Sequence, residues 1–216
     1  MSQETSPGKL ILVPAVITFG VTLLRLVGEL QGWSPALFNR EAGGGGALVG
    51  ISWLVPIFGA WFGWKLAKAG GGPGKIGRAL LIAILAFALM PGIGFGAIKA
   101  ANLNPQSFTA FGLFVVLAFA GLALGLRAWP ALGKVLLQYA LAARVPVILV
   151  MLVAMLGNWG THYDAFGSEI GTGTKIAIAF GAQMIFWTCI WTVVTGMLAG
   201  LLTVALRPRA ASPATA

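Results

Sequence analysis

The sequence predicts an all-α fold, a polytopic bundle of about six transmembrane helices with both termini cytoplasmic, and three observations carry that prediction. First, 58% of the 216 residues are hydrophobic and only 9% are charged, against about 25% charged in a soluble domain. So few charges cannot cover a water-facing surface, and lipid is the solvent that accepts the remaining side chains. Second, the apolar residues come in long blocks, each able to cross a hydrocarbon core about 30 Å thick as a helix of roughly 20 residues. These blocks are too long for strands and lack the alternation of an outer-membrane barrel. Third, the basic residues gather at one set of block ends.

The blocks fall at 10–30, 47–67, 79–98, 108–126, 136–157 and 176–205, in a single membrane domain covering 1–216. The first follows a polar start containing Glu4 and holds Arg25 and Glu29 with no small-residue cleavage pattern, so it reads as a span rather than a signal peptide. The second follows a run of four glycines, Gly43 to Gly46, which reads as a loose linker or, less simply, an anion cradle at a helix start. The second and third carry Pro56 and Pro91, interruptions that line cavities in some membrane proteins and merely aid close packing in others. The sixth is long for one perpendicular crossing, so it tilts or runs on toward the basic tail at 207–216.

Orientation follows from the positive-inside rule. Lys9, Lys65, Lys68, Lys75, Arg78, Arg127, Lys134, Arg207 and Arg209 lie on one side, and only Arg40, Lys99 and Lys175 on the other. The first side is then cytoplasmic. Trp33 and Trp159 mark the outer boundary, Trp64 and Trp129 the inner one. The net charge of +9 is accounted for in this way, with the anionic inner leaflet as the natural contact. Nucleic acid is not an expected partner, because no water-soluble basic domain exists to hold it. Membrane lipids are, together with a homo-oligomer or a larger membrane complex. Compact size and high Ala and Gly content point to a bacterial inner membrane. A faint echo of spans one and two in five and six, Val13-Pro14 with Val145-Pro146 and Ile57-Phe58 with Ile185-Phe186, hints at an internal repeat.

Several chemistries are excluded by count. One cysteine, Cys189, makes no disulfide and no Cys-based zinc site. One histidine cannot ligate an intramembrane haem on both faces, and one aspartate cannot form a paired-aspartate protease. HExxH, GxSxG and Walker motifs are absent, and the lysines stay at span ends, away from any buried Schiff base. No cofactor and no metal are expected.

What remains is a short set of candidate binding residues. Arg25 and Glu29 stand four apart, on one helix face. They form either a self-neutralising pair near the interface or an ion site facing the bundle interior. Arg144 has no acidic neighbour in sequence. It snorkels to the inner interface if its helix starts late, and it is deeply embedded and needs a partner if the helix starts at Ala131. His162, Tyr163, Asp164 and Glu169 form a dense polar cluster in an outer loop, which either binds or relays protons or simply caps helix ends. Trp53/Trp61/Trp64 and Trp187/Trp191 form stripes that read as packing or lipid contact. Three functions fit these residues: a small-solute or ion transporter or channel-like bundle, an accessory subunit of a larger membrane complex, or an enzyme acting on a lipid-like substrate at the outer face. An enzyme is the less favoured class.

Overall fold

The computed structural model describes residues 7–44, 46–89, 94, 96–103 and 107–207. Glu4, Gly45, Pro91 and the tail from Pro208, Arg209 included, lie outside the described residues. The chain is helical, with no strand among the described residues. Its helices are α1 (Pro7–Leu30), α2 (Leu54–Lys68), α3 (Ile76–Ala88), α4 (Gly96–Ala100), α5 (Phe108–Ala128), α6 (Pro130–Gly157) and α7 (Thr172–Ala205). Four of them, α1, α5, α6 and α7, are long and apolar enough to cross a membrane. Their outward faces carry Leu12, Val16, Val116, Leu149 and Leu156, all exposed, as a lipid-facing surface requires.

The second block differs from the sequence expectation. Residues 47–53 run as turns and bends, and α2 has 15 residues where a full span was read. The cause lies in the preceding loop. It folds back on itself, with Leu48 and Val49 N–H donating to Ala36 and Leu37 carbonyls at 3.1 Å, so these residues are committed before the helix begins. The same bonds make the region after Gly46 a built structure rather than a loose linker. In the third block α3 covers 13 residues and α4 five, while α6 starts at Pro130, six residues before the expected boundary. Proline at the first helical position costs no hydrogen bond and sets φ for the helix.

Helix ends follow backbone rules. Gly32, at φ +67°, closes α1 in a left-handed turn, with its N–H on the Glu29 carbonyl and the Trp33 N–H on the Gly28 carbonyl. Gly70, at φ +82°, closes α2 in the same manner.

The core sits where α2, α6 and the last part of α7 meet. Phe58 and Phe62 set their rings on Tyr139 at centroid distances of 5.6 and 5.4 Å, edge to face. Leu132, Leu136, Met197 and Leu201 fill the space around them, and α3 buries Ala79 and Ala83 there with Ile76, Leu80 and Ile82 packed at the margin. Gly59 and Gly63 on α2 face Gly196 and Gly200 on α7, so the two backbones touch. This is a pair of GxxxG stripes, each removing the side chains that would hold the other helix away. The Tyr139 hydroxyl also lies 2.7 Å from the Thr18 hydroxyl, which donates to the carbonyl of Pro14 and so joins α1 to α6.

Two tryptophans test the boundary reading in opposite ways. Trp64 lies among Lys65, Lys68 and Arg207, with cation–π distances of 5.0, 5.8 and 5.2 Å, which brings the C-terminal ends of α2 and α7 together at one basic end. Trp129 is no lipid-facing anchor. It is buried, and its indole N–H donates to the Gly71 carbonyl at 2.8 Å. In the two arms of the suggested repeat, Pro14 and Pro146 both lie inside helices, but α2 and α7 differ in length, 15 against 34 residues.

Candidate functional site

The site lies at the end of the bundle opposite Trp64 and Arg207. Its centre is Glu29, on the last turn of α1 and fully buried. A carboxylate at a helix C-terminus opposes the helix dipole and needs strong donors. It has three: Arg25 Nε at 2.8 Å, the backbone N–H of His162 at 2.8 Å, and His162 Nδ1 at 2.5 Å. An ionised carboxylate only accepts, so the ring proton resides on Nδ1. The Glu29 carbonyl in turn accepts from the Arg40 guanidinium, and the Arg25 guanidinium donates to the Asn39 carbonyl at 3.1 Å. Phe38 packs against Gly28, where any side chain would strike its ring, and so brings Asn39 and Arg40 into place. The first loop is therefore a cap over the end of α1.

Arg25 and Glu29 form the intrahelical pair that their spacing allows, but buried rather than at a wet interface. The loop cluster divides. His162 joins Glu29, and the Tyr163 hydroxyl donates to the Thr22 carbonyl at 3.1 Å, which fastens the loop to α1. Asp164 turns the other way. It accepts from the N–H groups of Gly160 and Thr161 at 2.9 and 2.7 Å and from the Thr161 hydroxyl at 2.7 Å, so its work is to hold the loop's shape. Burial alone would raise its carboxyl, but these hydrogen bonds outweigh that and hold it below the usual carboxylate value. Glu169 is exposed, bonded to Ser168, and outside the site.

Arg144 occupies the embedded alternative. With α6 starting at Pro130, it lies about 20 Å of helix from either end and is 3% exposed. Nη1 donates to Gln183 Oε1 at 3.4 Å, the guanidinium carbon sits 5.0 Å from the Trp187 ring centroid, and Nε has no partner among the described residues. Gln183 and Trp187 come from the middle of α7, where Ala182–Thr195 winds as a π-helix. Thr188 and Thr192 hydroxyls donate back five residues, to the Gln183 and Trp187 carbonyls, both at 2.8 Å. Wide turns of this kind are rare and recur at functional sites.

These residues surround one cavity of about 230 Å³, bounded by α1, α6, α7, the first loop and the 158–171 loop. Arg25, Arg144, His162, Tyr163, Gln183 and Trp187 all border it. The sequence reading missed Gln183 and Trp187. Gln183 was detectable as an amide inside an apolar block, whereas the inward turn of Trp187 depends on the π-helical segment.

His162 is the one histidine of the chain, which makes its titration readable. Burial pushes the imidazole below its ordinary value. The Arg25 charge acts in the same direction, and the Glu29 hydrogen bond opposes both without cancelling them. Below pH about 6.5 the unfolded chain therefore binds a proton that the folded chain does not. Stability is complete above that pH and is lost as pH falls through the depressed folded value. We expect the melting temperature in detergent to fall between pH 7 and pH 5, and the slope to flatten in His162→Gln. An equal slope in both proteins would contradict this assignment.

No protein-family model matches the chain, and neither a curated protein nor a solved structure matches it.

Proposed function

We propose that this chain is a multi-pass protein of a bacterial inner membrane, with cytoplasmic termini, that moves a small polar solute through the Arg144 cavity as a transporter or channel-like bundle. One observation carries the reading: a cavity bordered by Arg25, His162 and Gln183 extends from the loops at one end of the bundle to an arginine midway along α6. Ionisable groups at membrane depth are costly, face the bundle interior, and mark solute and ion paths. The excess of Lys and Arg on one side, including the Trp64–Arg207 end, supports the orientation. Of the two tryptophan stripes, Trp187 faces Arg144 and the Trp191 indole donates to the Ser52 carbonyl at 2.9 Å, which favours a cavity over a surface patch there, whereas Trp53 of the other stripe is exposed.

The test is flux. Protein reconstituted in liposomes should pass members of a panel of small labelled solutes, and Arg144→Leu should abolish that flux while Gly20→Ala, on open helix surface, retains it. Equal leakage from empty and loaded liposomes for every solute would sink the proposal.

The enzyme reading is favoured by a different observation, the His162–Glu29 hydrogen bond beside a cavity. A carboxylate that orients an imidazole is the usual arrangement for a general base. Incubation with a lipid extract and mass spectrometry of the products tests it. A product formed by the native chain and lost in His162→Ala would establish turnover, and an unchanged extract would remove this reading.

A further inference from the structure

We infer that the Arg144 cavity is an anion site whose ligand is a small monocarboxylate with a short apolar tail. The inference rests on the transport reading and names the class of solute.

Charge comes first. The charged or titratable groups lining the cavity are Arg25, Arg144, His162 and Tyr163, with Glu29 behind Arg25 and His162. Arg25 and His162 both spend hydrogen bonds on Glu29. Arg144 forms no ion pair with any described carboxylate; its neighbours are the Gln183 amide, the Trp187 ring and the Tyr139 phenol. Among the described residues the cavity therefore holds one cation without a counter-charge. A single negative charge balances it, whereas a neutral solute leaves the cost in place and a dianion reverses it.

Geometry comes second. The bond from Nη1 to Gln183 is long, at 3.4 Å, and Gln183 spends its other end on the Met151 sulfur at 3.6 Å. Nε has no hydrogen-bond partner among the described residues. A guanidinium has five N–H donors in one plane, and the ligand that uses two of them side by side is a planar two-oxygen anion. Chloride takes them one at a time. The guanidinium carbon lies over the Trp187 ring, a contact that favours the charged form without supplying a hydrogen-bond acceptor.

Size and lining come third. About 230 Å³ is below the range of sites for drug-sized ligands. Beside the polar groups Arg25, His162 and Ser52, the walls include the apolar side chains of Val147, Met151 and Ile178, which suit a few methylene or methyl groups.

Calorimetry on the full chain in mild detergent tests this with sodium acetate and sodium propionate. The controls are acetamide, propionamide, sodium chloride and sodium phosphate at matched ionic strength. Acetate and propionate should bind saturably, and the two amides, equal in shape but neutral, should not. Arg144→Gln should weaken carboxylate binding roughly tenfold or more, and Arg144→Lys, which keeps the charge but loses the fork, should fall between. The inference is overturned if the amides bind as well as the acids, if Arg144→Gln binds undiminished, or if chloride or phosphate binds and the carboxylates do not. Should Arg144→Gln fail to fold, the comparison of acid and amide on the native chain decides alone. Carboxylate binding without flux into liposomes would leave this site standing and overturn transport. Flux of neutral solutes without carboxylate binding would do the reverse.

Discussion

Glu29→Gln should lower the stability of the detergent-solubilised protein by about 3–5 kcal/mol, the cost of stripping a buried ion pair of one partner. The substitution keeps the side chain's shape and takes away its charge. Arg25 is then a buried cation facing an amide, and both donors of His162 lose a charged acceptor. A loss of this size is a large share of the total for a small domain, so yield should fall with the melting temperature. Arg25→Met should also be destabilising, because it strands the carboxylate. Arg25→Met combined with Glu29→Met should recover part of the loss, since replacing both charges with apolar groups removes the desolvation cost along with the attraction. If Glu29→Gln melts within about 0.5 kcal/mol of the native protein, the range of an ordinary surface change, then Glu29 does not hold the two ends of the site together.

The second large effect is expected at the contact of α2 with α7. A Cβ added at Gly63 would lie 2.6 Å from Gly200 Cα and 2.8 Å from its carbonyl oxygen, and one at Gly59 would strike the Gly196 backbone. Backbone cannot swing aside as a flexible side chain can, so the helices must separate and the Phe58–Phe62–Tyr139 cluster must open. Gly63→Ala should cost about 1–3 kcal/mol, and Gly63→Leu should yield no folded protein. Gly20 is the control, with nothing within 4 Å of its would-be Cβ on α1. Gly20→Ala should be neutral or stabilising by up to about 1 kcal/mol, from the lower chain entropy of alanine. Equal melting of Gly63→Ala and Gly20→Ala, read by fluorescence-detected chromatography after heating, would show that the two backbones do not touch.

Much of this molecule was legible before its structure. Most of the apolar blocks are helical among the described residues, and Arg25, Glu29, His162 and Tyr163 were singled out from residue type and spacing. Their assembly was not legible. Glu29 and His162 were read as members of two separate features, yet they are hydrogen-bonded across 133 positions. Asp164 and Glu169 looked equivalent to His162 in the loop, but Asp164 faces the Gly160–Thr161 backbone and Glu169 faces out. The start of α2 was misplaced because hydropathy sees Leu48, Val49 and Ile51 as helix-worthy and cannot see their pairing with 36–37.

The sequence by itself determined the solvent and the helical class of the fold, because both are sums over single residues. Transfer of each side chain to lipid and the need to satisfy each peptide group locally leave helices as the answer. Tertiary structure alone decided which face of each helix turns inward. In a membrane helix the lipid side and the core side are both apolar, so no amphipathic stripe announces the rotation. Whether Trp187 meets lipid or Arg144, and whether Gly59 meets a fatty chain or Gly196, follows from close packing between segments far apart in the chain.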